Sequence, residues 1–186
     1  CNYLGGQIQF NNPRKVLMLW EEIKYTVSFS DVEASVKMGL YGNLFYANFL
    51  ESRYKESIFF LNKIIQYKGD ENYLMQADAR MFMLIARYDA GDMDTLPYIA
   101  RTTKNWLSRK ELLGKFEIRI LRFFSSDVFK SNKKEFLYSQ LKEDMTKLIQ
   151  LGKPNVLSFF NMIAWTESKI HKRTYLSIIK DTAAKD

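Results

Sequence analysis

Apolar positions along the chain recur at three- and four-residue spacings. Between Leu40 and Leu50 they fall at Leu40, Phe45/Tyr46/Ala47 and Phe49/Leu50; between Tyr54 and Ile65 they fall at Tyr54, Ile58, Leu61, Ile64 and Ile65. This is the mark of helices that bury one face. No segment alternates strictly over a strand's length, and Val, Ile and Thr are scattered. Turn signals divide the pattern. Asn11-Asn12-Pro13 opens a helix at Pro13, where the missing N–H costs nothing. Ser30-Asp31 offers an N-cap for a helix through Leu50. Gly69-Asp70, Gly91-Asp92, Ser125-Ser126-Asp127 with Ser131-Asn132, and Gly152-Lys153-Pro154 supply further breaks. Asp94 stands as a cap before a first turn that holds Pro97. The predicted helices cover 2–10, 13–27, 31–50, 54–68, 72–90, 94–108, 111–128, 133–150, 155–170 and 173–181. Gly114 sits awkwardly inside one of them. It costs about 1 kcal/mol against Ala in a helix interior, which argues for a later start.

The breaks themselves repeat. Asn12, Ser52 and Gly91 are 40 and 39 residues apart. Leu4, Leu44 and Met83 precede them at matching offsets, and Trp20, Phe60 and Ile99 follow. Phe10 and Leu50 correspond as well, with Asp89 in the third place. Asn132 lies 41 beyond Gly91, and Phe123 lies 39 beyond Leu84. Two helices per period predict an all-α fold, an α-solenoid of stacked antiparallel helix pairs. Neighbouring pairs then complete each other's core. Residues 1–186 read as a single repeat domain, clear over 1–110 and divergent over 111–186, where capping helices close it.

The segment from Asn43 to Ile65 resembles a tetratricopeptide repeat. Asn43 and Leu44 match its opening, Ala47 its small position, Tyr54 the aromatic after the turn, Glu56-Ser57 the acidic-Ala pair, and Lys63 the Lys near the end. Tyr3-Leu4-Gly5 matches the opening of an earlier unit; Ala86 and Gly91 match the small residue and turn of a later one. Phe45 and Leu84 replace a preferred Gly, and Ser57, Leu96, Ile64 and Thr103 replace a preferred Ala. The period exceeds the family's roughly 34 residues. The whole chain is similar to divergent repeat proteins of Bacteroidetes that end in a basic helical segment with a stretch like Trp165-Thr-Glu-Ser-Lys-Ile170.

The resemblance implies a non-enzymatic scaffold whose first helices line a groove for a peptide or helix. Carried over by position, the groove residues are Asn43, Tyr46 and Leu50, then Phe82, Ile85 and Asp89, then Arg119 and Arg122. The family's carboxylate clamp is not reproduced, since Tyr46 and Ile85 stand where it uses Asn. An alternative is that Tyr46, Phe82 and Ile85 pack between helices.

Composition adds little to the fold but narrows the chemistry. With one Cys and one His among 186 residues, a disulfide framework and the usual zinc sets are excluded within this chain. His171 is placed in the turn between the last two helices, far from Cys1 along a solenoid. Leu4-Gly5-Gly6 lacks the Lys-Ser/Thr ending of a phosphate loop. Glu21-Glu22 and Asp92/Asp94 read as surface and capping acids. No catalytic residue, metal or cofactor is expected. The net charge is +7, divided as +2 over 1–68, 0 over 69–110 and +5 over 111–186. Lys115, Arg119 and Arg122 share one helical face, with Lys130, Lys133 and Lys134 nearby. A regulatory or nucleic-acid-associated role for this basic half is the alternative function. The bland reading is a solvated face carrying Glu111, Glu117 and Glu135. Val156, Phe159, Phe160, Ile163 and Ile170 form an apolar stripe that caps the stack or pairs two copies, capping being favoured. No apolar run spans a bilayer. The chain starts at Cys1, which is read as the start of a fragment; the setting is read as cytoplasmic, and a lipid-modified Cys1 is the alternative.

Overall fold

A computed structural model describes residues 12–25, 32–69, 72–125, 134–152 and 160–184. Among them are nine helices and no strand, so the fold is all-α. The chain forms two compact units, Cys1–Ala90 and Gly91–Asp186.

The first unit holds α1 (Pro13–Ile23), α2 (Ala34–Leu50), α3 (Tyr54–Ile65) and α4 (Tyr73–Asp89). Each helix packs on its chain neighbour: α1 on α2, α2 on α3 and α3 on α4. Consecutive packing is what a repeat of helix pairs requires, because each apolar face is completed by the next element. Phe82 sits with its ring centroid 5.0 Å from Phe45 and 4.8 Å from Phe49, and Phe49 meets Tyr54 edge-on at 5.5 Å. Met38, Leu44, Leu61, Ile64, Met81 and Leu84 are buried with them.

The second unit holds α5 (Leu96–Arg109), α6 (Lys115–Ser125), α7 (Lys134–Gln150), α8 (Met162–Ile170) and α9 (Tyr175–Ala183). It too packs helix on successive helix. Trp165 is fully buried at its centre, with Phe123, Phe124 and Tyr138 ring centroids 5.9–6.2 Å away. Phe160 lies 4.8 Å from Tyr175, whose hydroxyl accepts the Asn161 backbone N–H at 3.2 Å. Of the terminal apolar stripe, Phe160 is buried, Ile163 and Ile170 are half-buried, and Val156 and Phe159 lie outside the described residues.

Helix starts follow the available acceptors. Asn12 caps α1 through its side chain, which accepts the Lys15 N–H, and Pro13 takes the first helical position. Several predicted boundaries are corrected, four helix starts among them. The helix expected over 31–50 begins at Ala34 with Glu33 at the N-cap. Thr95, not Asp94, precedes α5; its hydroxyl donates to the Asp92 carboxylate at 3.0 Å. The helix expected over 111–128 begins at Lys115, just after Gly114. There the Glu117 carboxylate reaches back to accept the Gly114 N–H at 2.9 Å, satisfying a donor that a helix start leaves orphaned. The helix expected over 155–170 begins at Met162, because Asn161 caps it by accepting the Ala164 N–H. The helix predicted at 2–10 and the turn residues Ser30, Asp31, Asp70, Ser126, Asp127, Ser131, Asn132, Lys153 and Pro154 lie outside the described residues.

Helix ends follow a shared geometry. Ser52, Glu111 and Lys172 take left-handed φ values of 59°, 58° and 52° immediately beyond α2, α5 and α8. In each case the next N–H folds back onto the helix: Arg53 to the Asn48 carbonyl, Leu112 to Leu107 and Arg173 to Ser168. These are Schellman closures built without glycine. Gly91 and Gly152 supply left-handed turns after α4 and α7 at φ 81° and 62°.

Candidate functional site

The groove residues implied by the resemblance fall into three groups. The first belongs to α2. Ser35, Val36, Gly39 and Asn43 are exposed, at spacings that place them along one side of the helix. Among the described residues a side chain added at Gly39 would meet nothing within 4 Å, so they leave this side open. Asn43 therefore presents its amide, with two donors and an acceptor, to solvent. Tyr46, one turn on, is half-buried, with its ring edge-on to Phe45 and Phe82 at 6.3 and 6.2 Å. Leu50 ends the helix in the core, 3% exposed.

The second group lies on α4. Phe82 and Ile85 have no exposed surface. They are packing residues, and a ligand reaches them only if helices separate. Asp89 closes α4 and is half-buried. Its charge adds to the effect of burial, the larger cause, in raising the Tyr54 phenol above its ordinary pKa.

The third group lies on α6. Arg119 donates through Nε to the Asp144 carboxylate of α7 at 2.5 Å. Arg122 and Lys115 are exposed. Of the neighbouring basic residues, Lys134 is exposed, while Lys130 and Lys133 lie outside the described residues. Glu117, expected on a solvated face, is buried as the capping acid of α6.

One titratable group escaped the sequence reading. Asp78 is half-buried on α4, and burial pushes its carboxyl up to about 8. Its signal was its setting: Met75, Ala77, Ala79 and Met81 surround it in sequence. It also stands 39 residues after Gly39, the repeat offset, so the helix position that is open on α2 carries a carboxyl on α4.

Two of the acids named in the sequence, Asp92 and Glu21, make local side-chain contacts. Asp92 accepts from Thr95, and Glu21 pairs with Lys24 on α1 at 2.5 Å. His171 is the exposed C-cap residue of α8, in the turn between the last two helices as the sequence indicates. Among the described residues no three His, Cys, Asp or Glu gather to hold a metal ion, and no helix is long and apolar enough to cross a membrane.

No protein-family model, curated protein or solved structure matches this chain.

Proposed function

We propose that the protein is a non-enzymatic interaction scaffold, working in the cytoplasm, that receives a peptide or helix of a partner protein on the open side of α2. The supporting observation is the contrast along that helix. One side is sealed by Met38, Phe45 and Phe49, whereas Val36, Gly39 and Asn43 are exposed and no side chain of the described residues covers Gly39. Val36, 56% exposed, offers apolar surface, Asn43 offers backbone-like hydrogen bonding, and Tyr46 supplies an aromatic wall anchored by Phe82. The tetratricopeptide resemblance assigns the groove to this same helix. Of the residues implied on α2 and α4, Asn43, Tyr46 and Asp89 keep accessible surface, whereas Leu50, Phe82 and Ile85 are buried.

Gly39→Arg tests the proposal, since it fills the open side without meeting the core. Affinity capture from the source cell, read by mass spectrometry with and without nuclease, is expected to retain a defined protein on the wild type. The same protein should be lost on Gly39→Arg with helicity unchanged. Equal retention by both chains would remove α2 as the binding face.

A further inference from the structure

A second surface, on α5, has a different character. Leu96, Ala100, Thr103 and Leu107 are buried along one side. Pro97, Tyr98, Arg101, Lys104, Asn105, Ser108 and Arg109 are exposed and cover the opposite arc. That arc holds three cations, and the helix holds no Asp or Glu. Lys110 and Lys115 continue the run, against a single acid, Glu111. Tyr98 is 61% exposed, and the Arg101 guanidinium lies over its ring at 5.8 Å.

The surface differs from the pattern expected for a protein partner. The centre of a protein interface is depleted in charged residues and in Lys, although Arg and Tyr are enriched across such interfaces. The exposed arc of α5 carries no exposed Val, Leu, Ile or Met. It combines cations, neutral hydrogen-bonding groups and one projecting aromatic ring. Surfaces that meet nucleic acid are polar and strongly positive, and single strands add base stacking on aromatic rings.

We propose that the exposed face of α5 binds single-stranded nucleic acid. Arg101, Lys104 and Arg109 neutralise successive phosphates, and Tyr98 stacks on a base beside the Arg101 guanidinium. This site is independent of the α2 face, so either assignment stands if the other fails.

The test uses the whole chain and a fluorescein-labelled, mixed-sequence RNA of about 15 nucleotides, near the upper end of single-strand site sizes. Fluorescence anisotropy is followed across a salt series. Arg101→Glu with Lys104→Glu is expected to weaken binding at least tenfold at low salt. It should also reduce the slope of log affinity against log salt by roughly 1.4, two phosphate contacts at about 0.7 each. Tyr98→Ala should weaken binding severalfold with the slope unchanged, since it removes stacking and no charge. Lys55→Glu with Lys63→Glu on α3, matched in charge, should keep most of the affinity. Circular dichroism confirms that each variant is folded. The proposal is overturned by absence of binding at low salt, by equal loss in the α3 control, or by polyglutamate displacing the RNA as effectively as unlabelled RNA at equal charge. That last outcome would assign the face to an acidic protein segment.

Discussion

Arg119 of α6 and Asp144 of α7, 25 positions apart in sequence, form an ion pair between the two helices. Both side chains are partly exposed, 23% and 39%. Solvent therefore screens the attraction, and pairs of this kind are worth about 0.2–1 kcal/mol. A double-mutant cycle with Arg119→Ala and Asp144→Ala, read by urea denaturation, is expected to give a coupling within that range. The pairing also restricts Arg119 as a ligand contact: a partner carboxylate has to displace Asp144 first.

The buried carboxyl of Asp78 makes stability depend on pH. Its folded pKa, about 8, lies above the ordinary 3.8. Between these values the folded chain holds a proton that the unfolded chain has released. Stability is therefore full below about pH 4, falls as pH rises toward about 8, and is flat beyond. The slope is at most about 1.4 kcal/mol per pH unit. Asp78→Asn is expected to remove this slope and to be more stable than the wild type at pH 8. Melting temperatures from pH 4.5 to 8.5 measure both effects.

Left-handed backbone at a non-glycine residue is strained, and Glu111 bears it at φ 58°. Its backbone N–H donates to the Ser108 carbonyl, a bond any residue can make. Glu111→Gly is expected to stabilise the protein by about 1 kcal/mol, the cost of a Cβ in this conformation. It also removes the one acid between Arg101 and Lys115, so thermal melting and the RNA titration should both rise.

Ser57 occupies the position where the tetratricopeptide family prefers Ala. Its hydroxyl is buried and has no hydrogen-bond partner among the described residues. An unsatisfied buried hydroxyl costs about 1–3 kcal/mol. Ser57→Ala removes that cost and improves helix propensity within α3. A rise in the urea midpoint is expected, and a fall would show that the hydroxyl is satisfied in solution.

Much of the fold is legible in the spacing of apolar residues. Phe45, Phe49, Leu61 and Ile64 are spaced so that only a helix gathers them on one side, and all four are buried. The turn at Ser52 and the exposed position of His171 follow from where that periodicity stops. Helix starts were harder to place. The capping side chain of Asn161 competes with the apolar run before it, and Glu117 declares its role only by folding back onto Gly114.

The candidate site divides along the same line. Repeat register pointed to α2 and α4 from sequence. It could not separate Asn43, which faces solvent, from Phe82 and Ile85, which are sealed. Burial depends on which neighbour covers a helix face, and Phe82 is covered by Phe45 and Phe49 from 33 to 37 positions earlier. Asp78 and Arg119 show the same dependence, since a desolvated carboxyl and a guanidinium held by Asp144 arise only once helices pack. Local periodicity thus determined that the chain is helical and where most helices lie, because that information is carried by residues three and four apart. Exposure, charge pairing and the identity of the open faces were decided by tertiary structure, because they depend on contacts between residues tens of positions apart.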